Sequence, residues 1–173
     1  NINQTFFNVF GVAFMAVGAA IAIILGQMLG ANKNDEAKDA SFKLITFSVF
    51  VSIIVSVIYF FTAKYIPHFY NTSDSVMLMA TRLMQICALT MPLDAFAHAS
   101  YFTLRSGGKT FITILFDSCF VWLITLPVAY VLCNFTSLSI LGVYLICQLL
   151  NIIKDIAGTI LVANGIWIKN IVD

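Results

Sequence analysis

An all-α integral membrane protein of about five transmembrane helices is the fold class this sequence predicts, and three observations carry the prediction. The 173 residues are 61% hydrophobic and only 10% charged, whereas soluble domains run at about 45–50% apolar and about 25% charged. Mean hydropathy is +0.97. The apolar residues also gather into long runs, and at about 20 residues per crossing the length holds roughly five spans with short connections. Nine Lys and Arg against eight Asp and Glu leave a net charge of +1. That balance gives no basic footprint, so the expected partner is the lipid bilayer and not nucleic acid. Sixteen Phe and only three Pro argue against disorder.

Each span has a local reason. In the first, residues 6–29, Gly18, Ala22, Gly26 and Gly30 recur every four residues. Small side chains on one face let helices approach closely in lipid, where hydrophobic force between helices is weak. A charged connection from Asn32 to Lys43 leads to the second span, residues 44–66, whose far end (Tyr59, Phe60, Phe61, Tyr65) suits a membrane–water boundary. Pro67 and the Asn71–Asp74 cluster predict a chain reversal. The third span, residues 76–104, is longer than a perpendicular crossing needs, and Pro92 in its middle predicts a kink or local unwinding. Arg105-Ser106-Gly107-Gly108-Lys109-Thr110 then links to the fourth span, residues 111–132, with Trp122 and Pro127. The fifth span covers residues 139–162, and Trp167 with Lys169 reads as an interfacial anchor after it.

Five spans put the chain ends on opposite sides. Lys33, Lys38, Lys43, Arg105, Lys109 and Lys169 collect on one side, against Lys64 and Arg82 on the other. The positive-inside rule therefore predicts that the first and third connections and the C-terminus are cytoplasmic. The chain begins at Asn1 and enters an apolar run almost at once, without a basic stretch or small-residue cleavage site. It reads as starting partway through a longer protein and not as carrying a signal peptide. Cys87, Cys119, Cys133 and Cys147 stand singly, with no spacing suited to a disulfide framework or zinc, and read as buried apolar thiols.

Ionisable groups near mid-span cost about 2.5–3.5 kcal/mol each on insertion scales, so each is a candidate for function. Asp94, His98, Asp117, Lys154 and Asp155 are the candidates. At about 100° per residue, Cys87, Thr90, Asp94, His98, Tyr101 and Arg105 share one face of the third span. A carboxylate beside carbonyls freed by Pro92, with the Thr90 hydroxyl, suits a hard cation such as Na⁺ or a transferable proton. The competing reading has Asp94 fixing packing through a neighbouring helix. His98 either tunes Asp94 or serves as an interhelical hydrogen-bonder. Tyr144, Gln148, Asn151 and Asp155 form a polar stripe on the fifth span, with Thr159 at its edge and Lys154 adjacent. That stripe faces either a water-filled cavity or a structural seam. Asp117 reads as structural. No metalloprotease or serine-triad signature is present, so an enzyme is not expected and no cofactor is implied.

Several stretches resemble one family. Gly26-Gln27-Met28-Leu29-Gly30-Ala31 followed by Asp35-Glu36-Ala37-Lys38 resembles the end of an even-numbered helix in the multidrug and toxic compound extrusion (MATE) family. Leu104–Thr110 is similar to that family's connection between helices ten and eleven. Trp122 with Leu126-Pro127 resembles helix eleven, and Gly165 with Trp167 the C-terminal end. The resemblance implies a twelve-helix transporter of two six-helix lobes, exporting cationic amphipathic compounds across the plasma membrane in exchange for Na⁺ or H⁺. This chain would supply helices eight to twelve, most of the C-terminal lobe, and its partner would be the N-terminal lobe lying outside it. Asp94, eleven residues before Arg105, matches the helix-ten aspartate implicated in cation coupling, with Thr90, His98, Tyr101, Gln148, Asn151, Lys154 and Asp155 as candidates for the transport path. Two other functions stay open: a lipid-linked oligosaccharide flippase of the same superfamily, and a non-transporting membrane scaffold packed through the Gly18–Gly30 stripe.

Overall fold

The computed structural model describes residues 2–70, 73–108 and 113–168. Five helical stretches among them are long and apolar enough to cross a membrane. The first span is α1 (Ile2–Gly30), the second α2 (Asn34–Thr62) and the third α3 (Asp74–Ser106). A 3₁₀ turn at Ile66–Phe69, with Pro67 supplying its fixed φ, separates α2 from α3. The second span thus starts ten residues earlier than expected. The charged connection is helical because Asp35 and Glu36 occupy its first turn, where carboxylates complement the helix dipole.

The fourth span departs from regular α-helix. Its residues Leu115–Cys119 and Val121–Thr125 are π-helical, and only then does α4 (Leu126–Phe135) begin, with Pro127 in its first turn. It also runs to Phe135, three residues past the expected end; its expected start at 111–112 lies outside the described residues. The fifth span is two segments, α5 (Ile140–Leu149) and α6 (Asn151–Ala163), separated by a single step at Leu150. The Ser139 hydroxyl accepts from the Gly142 amide and caps α5.

Helix α3 is the hub, packing against α1, α2, α5 and α6. Its register with α1 is parallel and constant: Asn3 meets Cys87, Phe14 meets His98 and Gly18 meets Phe102, each pair 84 residues apart. Two clusters fill the interior. Ile21, Leu25, Leu29, Ala37, Ile45, Ala99, Leu104, Val162 and Trp167 close the end where α1 and α3 finish. Phe14, Tyr59, Met84, Cys87, Ala88, Met91 and Ala95 fill the middle and the opposite half. The α2 face that meets them is rich in small residues: Ser41, Ser48, Ser52 and Ser56 are all buried there, which permits close backbone approach.

Three expectations are corrected. The α1 stripe does not pack as a unit within this chain: a Cβ on Gly18 would lie 2.6 Å from Phe102, Ala22 is half-buried, and a Cβ on Gly26 or Gly30 would meet no other part of the chain within 4 Å. Residues four apart advance about 400°, so the stripe winds off the interface; the buried face instead runs Gly11, Phe14, Gly18, Ile21, Leu25, Leu29. Trp167 is no interfacial anchor. It is 0% exposed, and its indole N–H donates to the Val162 carbonyl at 3.2 Å. The backbone beside it presses on Gly107, where a Cβ would fall 1.6 Å from the Trp167 carbonyl oxygen. Of the four thiols only Cys87 is buried; Cys133 is exposed. Lys109 and Lys169 lie outside the described residues.

Gly107→Ala should therefore cost about 1–3 kcal/mol by overpacking, read as a lower melting temperature of the full-length protein in detergent. Gly26→Ala should be neutral or slightly stabilising, since alanine is the better helix former. A Gly26→Ala loss as large as that of Gly107→Ala would mean the stripe packs against a segment outside this chain.

Candidate functional site

Proline at position 92 has no N–H, so the carbonyl four residues earlier, on Ala88, loses its helical donor. Yet α3 continues without unwinding through Pro92. The missing donor comes from a neighbour: the Ser56 hydroxyl of α2 donates to the Ala88 carbonyl in the buried interface. The expected pool of loose carbonyls beside Asp94 is thus reduced, because this one is engaged on the α2 side. A serine at a helix interface supplying a proline's lost bond is a recognised way of tolerating proline in membrane spans.

On another face, α3 and the fifth span run parallel and are joined by three polar rungs. Tyr144 OH meets Cys87 Sγ at 2.8 Å, Gln148 Nε2 donates to Thr90 Oγ1 at 3.1 Å, and Asn151 Nδ2 donates to Asp94 Oδ1 at 2.9 Å. The sequence separations of 57, 58 and 57 residues show two faces in register, and three residues of each stripe expected from periodicity are the ones that pair. The ladder extends across the bundle: Asn3 Nδ2 of α1 donates to Cys87 Sγ at 3.2 Å, and Tyr59 OH of α2 donates to Asn3 Oδ1 at 3.1 Å. Asp94 sits at the ladder's end with its second oxygen, Oδ2, buried and without a hydrogen-bond partner.

The other expected path residues separate into two further places. His98 Nδ1 donates to the Asp94 backbone carbonyl at 3.0 Å, one turn back on its own helix, and its ring meets the edge of Phe14 at 5.6 Å. It therefore contacts neither the Asp94 carboxylate nor a polar group of another helix through that nitrogen. His98 and Tyr101 line a cavity of about 190 Å³ with Met15, Asp117 and Lys154. Lys154 bridges to Asp117 between the fifth span and the π-helical part of the fourth. Asp155, the next residue, points elsewhere and lines a groove of about 330 Å³ beside Pro92 and Phe96. About 100° of rotation between neighbours separates them. Among the described residues no three His, Cys, Asp or Glu side chains converge as metal ligands.

Ser56 and Asn3 were not singled out from sequence, and Tyr59 was read only as a boundary aromatic, whereas it is fully buried and bonded to Asn3. Their signal was available in part, since Ser41, Ser48, Ser52 and Ser56 fall at spacings of seven, four and four, a small-residue stripe like that of the first span.

A helical bundle of membrane length with a half-buried carboxylate on its central helix defines a polytopic membrane protein, and comparison with known sequences narrows the class. The sequence model of the MatE family matches residues 1–131. The chain belongs to the MatE family and is a multi-pass membrane protein. It is 27% identical over 130 residues to the probable multidrug resistance protein YoeA of Bacillus subtilis, covering 75% of this chain and 28% of that protein. Multidrug resistance protein NorM of Aliivibrio fischeri is 28% identical over 120 residues, 68% of this chain and 26% of its own length. An uncharacterized transporter of Bacillus subtilis, YisQ, is 24% identical over 172 residues, 97% of this chain and 38% of its own length. The chain thus spans well under half the length of these relatives. No solved structure matches it significantly.

The Ser56–Ala88 bond gives a double-mutant test. Ser56→Ala should cost about 1–3 kcal/mol, because it orphans a buried carbonyl. In a Pro92→Ala background, where the helix supplies its own donor, the same change should cost well under half as much. Equal costs in the two backgrounds, measured by detergent unfolding, would remove Ser56 from this role.

Proposed function

We propose that the protein containing this chain at full natural length is a cation-coupled antiporter. It exports cationic amphipathic compounds across the plasma membrane in exchange for Na⁺ or H⁺. On this reading the chain is most of the C-terminal lobe, helices eight to twelve, its C-terminus is cytoplasmic, and the N-terminal lobe completes the transport cavity. Membership of the family and the names of its relatives, several of them multidrug resistance proteins, support export over an enzymatic activity.

The observation that carries the reading is Asp94. One oxygen is held by Asn151 and the other is buried without a partner. A cation or proton arriving there satisfies an oxygen that hydrocarbon and protein leave bare, and it changes the balance of the Asn151 bond that ties α3 to the fifth span. Gln148 and Thr90, one rung away, hold that register while the charge at Asp94 changes. Na⁺ and H⁺ are cargo in this scheme, and the site needs no resident cofactor. Coupling of this kind is reciprocal, so bound cation must weaken substrate in the state that releases it. The flippase reading requires basic side chains along the cavity, and Lys154, at membrane depth, is already engaged by Asp117.

The test is ethidium efflux from cells expressing the full-length protein, with Na⁺ and pH gradients imposed separately. Efflux should follow one gradient and fall to background in Asp94→Asn, with membrane insertion unchanged. Coupled export retained in Asp94→Asn would remove Asp94 from the mechanism. No export under either gradient, from well-inserted protein, would favour the flippase or the scaffold.

A further inference from the structure

Lys64 and Arg82 are the two basic side chains that the charge bias leaves on the side opposite the cationic connections. Neither belongs to the ladder, the His98 cavity or the Asp155 groove. They meet where α2 ends and α3 begins, in a groove of about 480 Å³ lined by Lys64, His68, Arg82 and Gln85 with the apolar Met77 and Leu78. Asp74, Leu78, Arg82 and Gln85 follow at spacings of four, four and three residues, so they share one face of α3. Among the described residues neither cation forms an ion pair or a side-chain hydrogen bond. Asp74 also faces the groove, and the two cations outnumber it.

Depth decides what such a groove can hold. Tyr65, Phe69 and Tyr70, in the turn beside Lys64 and His68, are exposed, Phe69 to 85%. Exposed aromatics at a helix end mark a membrane–water boundary. Arg82 lies eight residues after Asp74 in α3, about 12 Å along its axis at about 1.5 Å per residue. An arginine that far inside a span is costly unless its guanidinium reaches water or an anion. The groove joins it to Lys64 at the boundary. Leu78, between the two levels, is exposed and offers an apolar wall at acyl-chain depth. A soluble anion would use the charges but not that wall. A lipid with an anionic head uses both. Guanidinium takes phosphate oxygens in a bidentate fork and lysine adds a point charge. Basic pockets between membrane helices hold lipid headgroups by the same chemistry.

We propose that Lys64, Arg82 and the groove between them bind the phosphate headgroup of an anionic phospholipid, one of whose acyl chains lies on Met77 and Leu78. His68 and Gln85 are further hydrogen-bonding groups on the walls. On the topology proposed above, this lipid belongs to the outer leaflet. The inference does not depend on what the protein exports.

Full-length protein in detergent micelles, exposed to phosphatidylglycerol with a diazirine in its acyl chain and mapped by mass spectrometry, tests it. Label should fall on Met77 or Leu78, and phosphatidylcholine with the same chain should label them several-fold less. Arg82→Gln should lower phosphatidylglycerol labelling about tenfold or more, as expected for a lost charge-assisted contact. Arg82→Lys should retain more of it. Lys64→Gln, at an exposed position past the end of α2, is the second variant should Arg82→Gln fold poorly; it too should cut labelling. Labelling unchanged in both glutamine variants, or equal for the two lipids, means ordinary lipid contact and overturns the proposal. Complete displacement by an equimolar amount of inorganic phosphate overturns it in favour of a free-anion site. No label in the groove, with a melting temperature that falls in Arg82→Gln, also overturns it. An acidic side chain from elsewhere in the protein then fills the groove. The readout is lipid binding, so failure here leaves the export reading of Asp94 standing, and retained export in Asp94→Asn leaves this site standing.

Discussion

Hydrocarbon offers no water to a stray polar group, so a helix that carries many of them must be ringed by donors from its neighbours. Helix α3 is in that position. It contains a proline that orphans a carbonyl, together with a carboxylate, a threonine and a buried thiol on one side. Ser56 of α2 covers the carbonyl, Asn3 of α1 reaches the thiol, and Tyr144, Gln148 and Asn151 of the fifth span meet the thiol, hydroxyl and carboxylate. The arrangement of the bundle follows. Each partner can donate only in one register, and α1 and the fifth span accordingly run parallel to α3 with nearly constant offsets.

The small residues make those bonds reachable. A hydroxyl on α2 touches an α3 carbonyl only if the two backbones come close, and the buried serines with Ala88 and Ala95 allow it. Gly107 does the same at the far end, where the backbone of Trp167 closes on it. The fourth span is the exception. It has π-helical turns in its first half and no buried side chain in its second, and the Asp117–Lys154 bridge ties it to the fifth span. An element with so little buried surface is held by local contacts, and such elements are the ones most easily displaced.

Neighbouring residues of one helix serve different places because about 100° separates them. Asn151, Lys154 and Asp155 lie within five residues of sequence, yet one completes the ladder, one bridges to the fourth span and one lines an apolar groove. Grouping them as one path follows from reading hydropathy along the chain, where proximity in sequence stands in for proximity in space. Periodicity did better for part of each stripe, Cys87, Thr90 and Asp94 with Tyr144, Gln148 and Asn151, since a shared face is a local property of a helix, while His98, Tyr101 and Asp155, read on the same faces, line other cavities.

What the sequence alone determined is what depends on local chemistry and length: five apolar stretches long enough to cross a bilayer, the polar faces of the third and fifth spans, and the motifs that resemble one transporter family. The tertiary structure decided which faces meet. The Gly18–Gly30 stripe leaves the interface after one residue because a four-residue spacing drifts around the helix. Trp167 is buried because a glycine sixty residues earlier admits its backbone. The carbonyl that Pro92 orphans is covered because a serine on another helix supplies the missing donor. Each of these outcomes depends on an atom far away in sequence, and no window along the chain contains both partners.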